Sequence, residues 1–278
     1  RIKAGSTVYI EGALASDIID AGASLTVEGE SNIGKVSVGG KATFEGKTEI
    51  ETIDIGGKLT VKDGKFGKIN VGGSFISEGI VTIEDIDVGG SINIEGEANV
   101  GKLSVGGSLL VESKITFDSI DVGGRIVFEG IAEGIKIRIG GSLESESDII
   151  LDGNIDVGGT VSVENLLQAQ AIKVGGRAKG TLFKATFFEI GRRGKVYGTI
   201  QADKVLISER SVVENIYGNE IILEERSRAR NIYGNEIFLE ENVRVSGEIL
   251  FTDKISVESN VNLATEPRKV KILPEPKV

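Results

Sequence analysis

A Gly-Gly pair recurs at positions 39–40, 56–57, 72–73, 89–90, 106–107, 123–124, 140–141, 158–159 and 175–176, so that successive pairs are 17, 16, 17, 17, 17, 17, 18 and 17 residues apart. A period this short and regular restricts the chain to a solenoid, because one unit cannot bury its own apolar face and must stack on its neighbours. In the unit from Gly89 to Val105 three apolar-x-apolar pairs appear: Ile92 and Ile94, Ala98 and Val100, Leu103 and Val105. Alternation of period two marks a half-buried strand with one face inward. Each turn therefore predicts three short strands around a triangular core.

The register runs past the Gly-Gly units in both directions. Val8 and Ile10 follow Gly5-Ser6, and Leu25 and Val27 follow Gly22-Ala23. Downstream the corner changes to Gly191-Arg192, Ser208-Glu209, Glu224-Glu225 and Glu240-Glu241, while the units still end on apolar pairs such as Val205 and Ile207 or Ile255 and Val257. Ile2 and Ala4 fit the last strand of a preceding coil, and Val261 and Leu263 the first strand of a following one. The expected fold is all-β: a single-stranded parallel β-helix over residues 1–263, with Gly-Gly coils from 5 to 190 and coils of a second style from 191 to 263. Right-handed winding is expected, because parallel crossovers are overwhelmingly right-handed. Fifteen coils at about 4.8 Å each predict a rod about 70 Å long.

Proline is absent before Pro267, as a solenoid requires, since a missing N–H inside the stack breaks a ladder bond. Pro267, Pro274 and Pro276 all fall in 264–278, which reads as a flexible tail outside the rod. The chain has no cysteine and no histidine, which removes disulfides, thiolate metal sites and the commonest general base. The absence of Met, Cys, Trp and His beside abundant Ile, Val, Glu and Lys suggests a thermophile. A net charge of −10 argues against a nucleic-acid groove, and no apolar run approaches the length of a spanning helix. The first residue is Arg1 rather than Met, so processing or an omitted N-terminal segment is expected.

Several columns invite a functional reading beside a structural one. The Gly-Gly corners could cradle phosphate, but the repeat contains no G-x-x-x-x-G-K-[ST], and corner geometry, with positive φ and close approach of stacked backbones, accounts for them. An outward acidic column comprises Glu11, Glu28, Glu45, Glu78, Glu95, Glu112, Glu129, Glu146 and Glu164, interrupted by Lys62. It reads as a solvated ridge that discourages lateral association, with a divalent-cation ladder as the sharper alternative. Thr26, Thr43 and Thr60 form an outward array too short for an ice-binding face. Asn-Ile-Tyr-Gly-Asn-Glu occurs at 215–220 and again at 231–236, so Tyr217 and Tyr233 are expected to stack over a bend, the functional alternative being a carbohydrate platform. Arg192-Arg193 and the basic run from Arg226 to Arg230 could meet the acidic ridge of another molecule.

Gly198-x-Ile200-x-Ala202-x-x-Val205-x-Ile207 resembles the recurring phrase of the bactofilin (polymer-forming cytoskeletal) family, and Gly247-x-Ile249-x-Phe251 followed by Ile255-x-Val257 is similar. The likeness covers residues 190–263; the Gly-Gly ladder and the length of the repeat depart from the family. The resemblance implies a β-helix that polymerises end to end without nucleotide, resides in the cytoplasm and scaffolds at the membrane, with tails that reach membrane or envelope proteins.

A filament-forming scaffold is thus the leading function, and not an enzyme: coils of 16 to 18 residues leave no insertion from which to build a catalytic cleft. An extracellular fibre or adhesin is the alternative, and a polysaccharide-acting β-helix enzyme the third. No cofactor, metal, nucleotide or nucleic acid is expected; the expected partner is a second copy of the chain. Strand addition would place the contact at the outermost layers, on Ile2, Val8 and Ile10 at one limit and Ile255, Val257, Val261 and Leu263 at the other.

Overall fold

The computed structural model describes residues 1–276 and consists of β-strands joined by turns, without a helix. Every strand pair given by its register is parallel, and the partners lie one coil apart: Ser91 pairs with Ser74 on one side and Ser108 on the other. This is the β-solenoid expected from the period. Two compact units are present, Arg1–Ile137 and Arg138–Val278.

In the first unit a coil alternates a four-residue strand, such as Ser91–Ile94, with an eight-residue strand, such as Ala98–Val105. The longer strand serves two faces. Ala98 and Val100 are buried, the alternation slips at Gly101-Lys102, and Leu103 and Val105 are buried again, so the chain bends there onto the third face. The interior is aliphatic and contains fully buried Phe44, Phe75 and Phe128. The few inward hydroxyls are satisfied within a coil or by the next one. Ser31 donates to the Thr48 hydroxyl at 3.1 Å, Thr48 donates to the Gly46 carbonyl at 2.9 Å, and Ser77 donates to the Gly79 carbonyl at 3.2 Å. Buried polar groups without partners would otherwise destabilise so narrow a core.

The Gly-Gly corners show the expected close approach of stacked backbones but not the expected positive φ. Gly198, with φ of 123°, is the glycine that adopts a left-handed backbone, and none of the corner pairs does. What excludes side chains at the corner is the coil before it: a Cβ on Gly89 would stand 2.6 Å from the Gly72 carbonyl oxygen, and one on Gly123 would stand 2.5 Å from that of Gly106. The N–H groups use the same proximity, since Gly89 donates to Val71 and Gly90 to Gly73 at 2.9 and 3.0 Å. Close approach, rather than unusual φ, selects glycine here.

Lys41–Ile55 in the first unit and Thr160–Val174 and Lys195–Ile207 in the second run on as single long strands, and from Gly191 onward the corners become four-residue turns. Arg193, Arg210, Arg226, Asn242 and Asn260 occupy equivalent places in these turns, all with φ between 58° and 61°. The left-handed conformation costs an L-residue about 1 kcal/mol or more, and ladder bonds offset it. Arg210 N–H donates to the Glu225 carbonyl and Arg226 N–H to the Glu241 carbonyl, both at 3.0 Å. The Glu240 carboxylate takes the Glu225 N–H from the coil before, also at 3.0 Å.

Part of the tail expected over 264–278 is paired with the coil before it. Arg268–Lys269 forms a parallel strand against Leu250 and Phe251, and Val270 N–H donates to the Phe251 carbonyl at 2.8 Å. Pro267 immediately precedes this strand, on the sheet edge where a missing donor breaks no bond. The last two residues of the expected tail, Lys277 and Val278, lie outside the described residues.

Candidate functional site: terminal coils and the tyrosine groove

The seven residues proposed for strand addition fall in the outermost layer of their own units. Ile2 pairs only inward, with Ile19; Val8 and Ile10 pair with Leu25 and Val27. Ile19, Leu25 and Val27 are 0% exposed, whereas the same coil positions one layer out are half-buried. In the second unit Ile255 and Val257 pair with Ile237 and Leu239, and Leu263 pairs with Val245. Val257 is 44% exposed against 0% for Leu239, and Ile255, Val261 and Leu263 are each half-buried. Side chains in equivalent rotational positions differ in burial because one layer is covered and the other is not.

Outward ladders reinforce the second unit. Asn231 donates to the Asn215 side-chain oxygen at 2.9 Å and accepts the Glu248 N–H at 2.9 Å. A second ladder climbs from Asp203 through Asn219 and Asn235 to Thr252, with steps of 3.1, 3.0 and 2.9 Å. The sequence signal for both is the Asn-Ile-Tyr-Gly-Asn-Glu phrase repeated at one coil length, which puts identical amides directly above one another. Two of the arginines expected to meet another molecule have ion pairs within the chain: Arg192 with Glu209 of the next corner at 3.3 Å, and Arg226 with Glu225 of its own at 3.1 Å. Among the described residues no group of three acidic side chains converges to hold a metal ion.

The same repeat places Tyr217 on Tyr233. Their ring centroids are 4.6 Å apart with planes 25° from parallel, so each ring covers a face of the other and the expected stack is present. The pair closes one end of a groove of about 630 Å³. Beyond the tyrosines the floor follows one outward column, Gln201, Lys184 and Gln168, rung by rung. Leu273, Pro274, Glu275 and Pro276 line the same groove. Leu273 and Pro276 are half-buried, whereas Pro274 and Glu275 are exposed.

Tyr233 donates to Glu248 at 3.3 Å, and Glu248 is also ion-paired with Arg268 of the last strand. Burial, followed by the neighbouring Tyr217 and the Glu248 charge, pushes the Tyr233 hydroxyl from its ordinary 10.0 up to about 12. A raised pKa means that the folded chain keeps the phenol proton at a pH where the unfolded chain has lost it. The stabilisation is complete below pH 10 and is lost as pH rises toward 12. Tyr233→Phe is therefore expected to flatten the alkaline fall in stability, read by denaturant titration at a series of pH values. Tyr9, exposed and hydrogen-bonded to Glu28, is pushed up to about 12 as well and contributes in the same direction.

No family model, curated protein or solved structure matches the chain.

Proposed function

We propose that this protein is a structural scaffold that assembles into filaments by laying the terminal coil of one copy on that of another, without nucleotide or metal. One observation carries the reading: Ile255, Val257, Val261 and Leu263 remain part-exposed although the chain continues beyond them, while Ile237, Leu239, Val243 and Val245 one coil inside are dry. Burying a half-exposed Val, Ile or Leu contributes on the order of 1 kcal/mol each. Backbone N–H and C=O groups along those strands add ladder bonds when a further strand arrives. The bactofilin-like phrases at 198–207 and 247–257 support the same conclusion independently of the coil geometry.

Leu263→Lys tests it. The substitution places an ammonium in the outermost layer, where Leu263 pairs only with Val245, and a stack shares its stability among neighbouring coils, so the chain is expected to fold. Its assembly is expected to fail, because the contact must exclude water to hold. Circular dichroism checks the first outcome and negative-stain microscopy the second. Filaments of wild-type length from a folded Leu263→Lys chain would remove this layer from the contact.

A further inference from the structure

We infer that the tyrosine groove of the second unit is a receptor for the C-terminal Leu273-Pro274-Glu275-Pro276 segment of a second copy of the chain, a tether distinct from coil stacking. The segment's own placement shows that the groove accepts this sequence. Leu273 and Pro276 are half-buried and three residues apart, the repeat of a polyproline II helix, while Pro274 and Glu275 between them are exposed. Prolines set this conformation in advance, so little chain entropy is lost on docking.

Two features favour exchange between copies. The groove spans six rungs, from Asp152 to Tyr233, or about 24 Å at about 4.8 Å per rung. Four residues in polyproline form reach only about 12 Å, so one segment fills about half of it. The connector is also short and open. After the Val270 bond to Phe251, Lys271 and Ile272 are both exposed, and Ile272 is 85% exposed, which is unusual for an isoleucine. A hinge at these two residues can direct the segment to its own groove or to a neighbour's with the same contacts, which is how segment exchange arises. The tyrosine edge supplies apolar contact for Leu273, and the rungs beyond it supply amide and ammonium donors from Gln168, Gln201 and Lys184 for the segment's carbonyls.

The test exploits the absence of native cysteine. Full-length chains carrying Lys184→Cys alone and Glu275→Cys alone, both in the Leu263→Lys background that separates this contact from stacking, are mixed, unfolded, refolded together and treated with a short bis-maleimide. The expected result is a cross-linked dimer of the two variants. It should be lost when the Lys184→Cys chain also carries Tyr217→Ser and Tyr233→Ser, and absent when Lys65→Cys replaces Lys184→Cys. Closure only within a doubly substituted chain, with no cross-link between single variants at any concentration, would overturn the inference and make the segment an intramolecular clamp. Equal cross-linking by the Lys65→Cys control would overturn it as well.

Discussion

Ile94→Asp is expected to lower the stability of the chain by at least about 4 kcal/mol, because it puts a carboxylate in an apolar interior whose neighbouring hydroxyl, Ser77, already donates to the Gly79 carbonyl. Ile94 is 0% exposed and lies between Ser77 and Val111 of the adjacent coils. The interior at this level is lined by Ile92, Val100, Leu103 and Val105, all buried. The carboxylate must either take up a proton or open the coil, and the hydrogen-bond ladders on both sides transmit the opening to neighbouring coils. Asn93→Asp, one residue away, sits on the outward side next to the exposed Glu95 and is expected to change stability by no more than about 0.5 kcal/mol. Denaturant unfolding of the two variants beside wild type measures the contrast. Equal losses would mean that the inward and outward assignments along this strand are wrong.

Gly89→Ala is expected to cost about 2 to 4 kcal/mol, a large effect for a single methyl group. The new Cβ would meet the Gly72 carbonyl oxygen at 2.6 Å, and that oxygen belongs to backbone held in its own ladder, so neither partner can move without breaking bonds. Gly5 occupies the same place in the first coil, where a Cβ would meet nothing within 4 Å. Gly5→Ala should therefore leave the thermal midpoint of the isolated chain unchanged. The comparison isolates coil-to-coil proximity from any intrinsic preference of the corner for glycine. Similar losses for both variants would place the requirement in the local backbone instead.

These two cases also show which parts of the structure were legible in the sequence. The coil length and the inward register could be read because strand geometry allows only period two, and the Gly-Gly ladder fixed where each period begins. Ile92, Ile94, Ala98, Val100, Leu103 and Val105 are all buried, as that pattern requires. The reason for the glycines was read only in part: positive φ and close approach leave the same residue in the sequence, and only the distance to the preceding carbonyl separates them. The tyrosine stack followed from a hexapeptide repeated at one coil length. The amide ladders that accompany it carry the same signature, but apolar alternation does not reveal outward Asn. The fate of 264–276 could not be read, since three prolines describe an excluded segment and an edge strand equally well. Whether such a segment docks depends on a groove assembled from residues more than a hundred positions upstream, such as Asp152 and Gln168.

On the filament reading proposed above, the terminal layers are what a second copy covers. Val8, Ile10 and Ile2 in the first unit, and Ile255, Val257, Val261 and Leu263 in the second, hold positions that are dry wherever a further coil is present. Sedimentation velocity across a range of protein concentrations, paired with negative-stain microscopy of the same samples in physiological salt without nucleotide or divalent metal, addresses that statement directly. Filaments whose mass grows with concentration are the predicted result. A single species of monomer mass at every concentration, with no filaments on the grid, would contradict it.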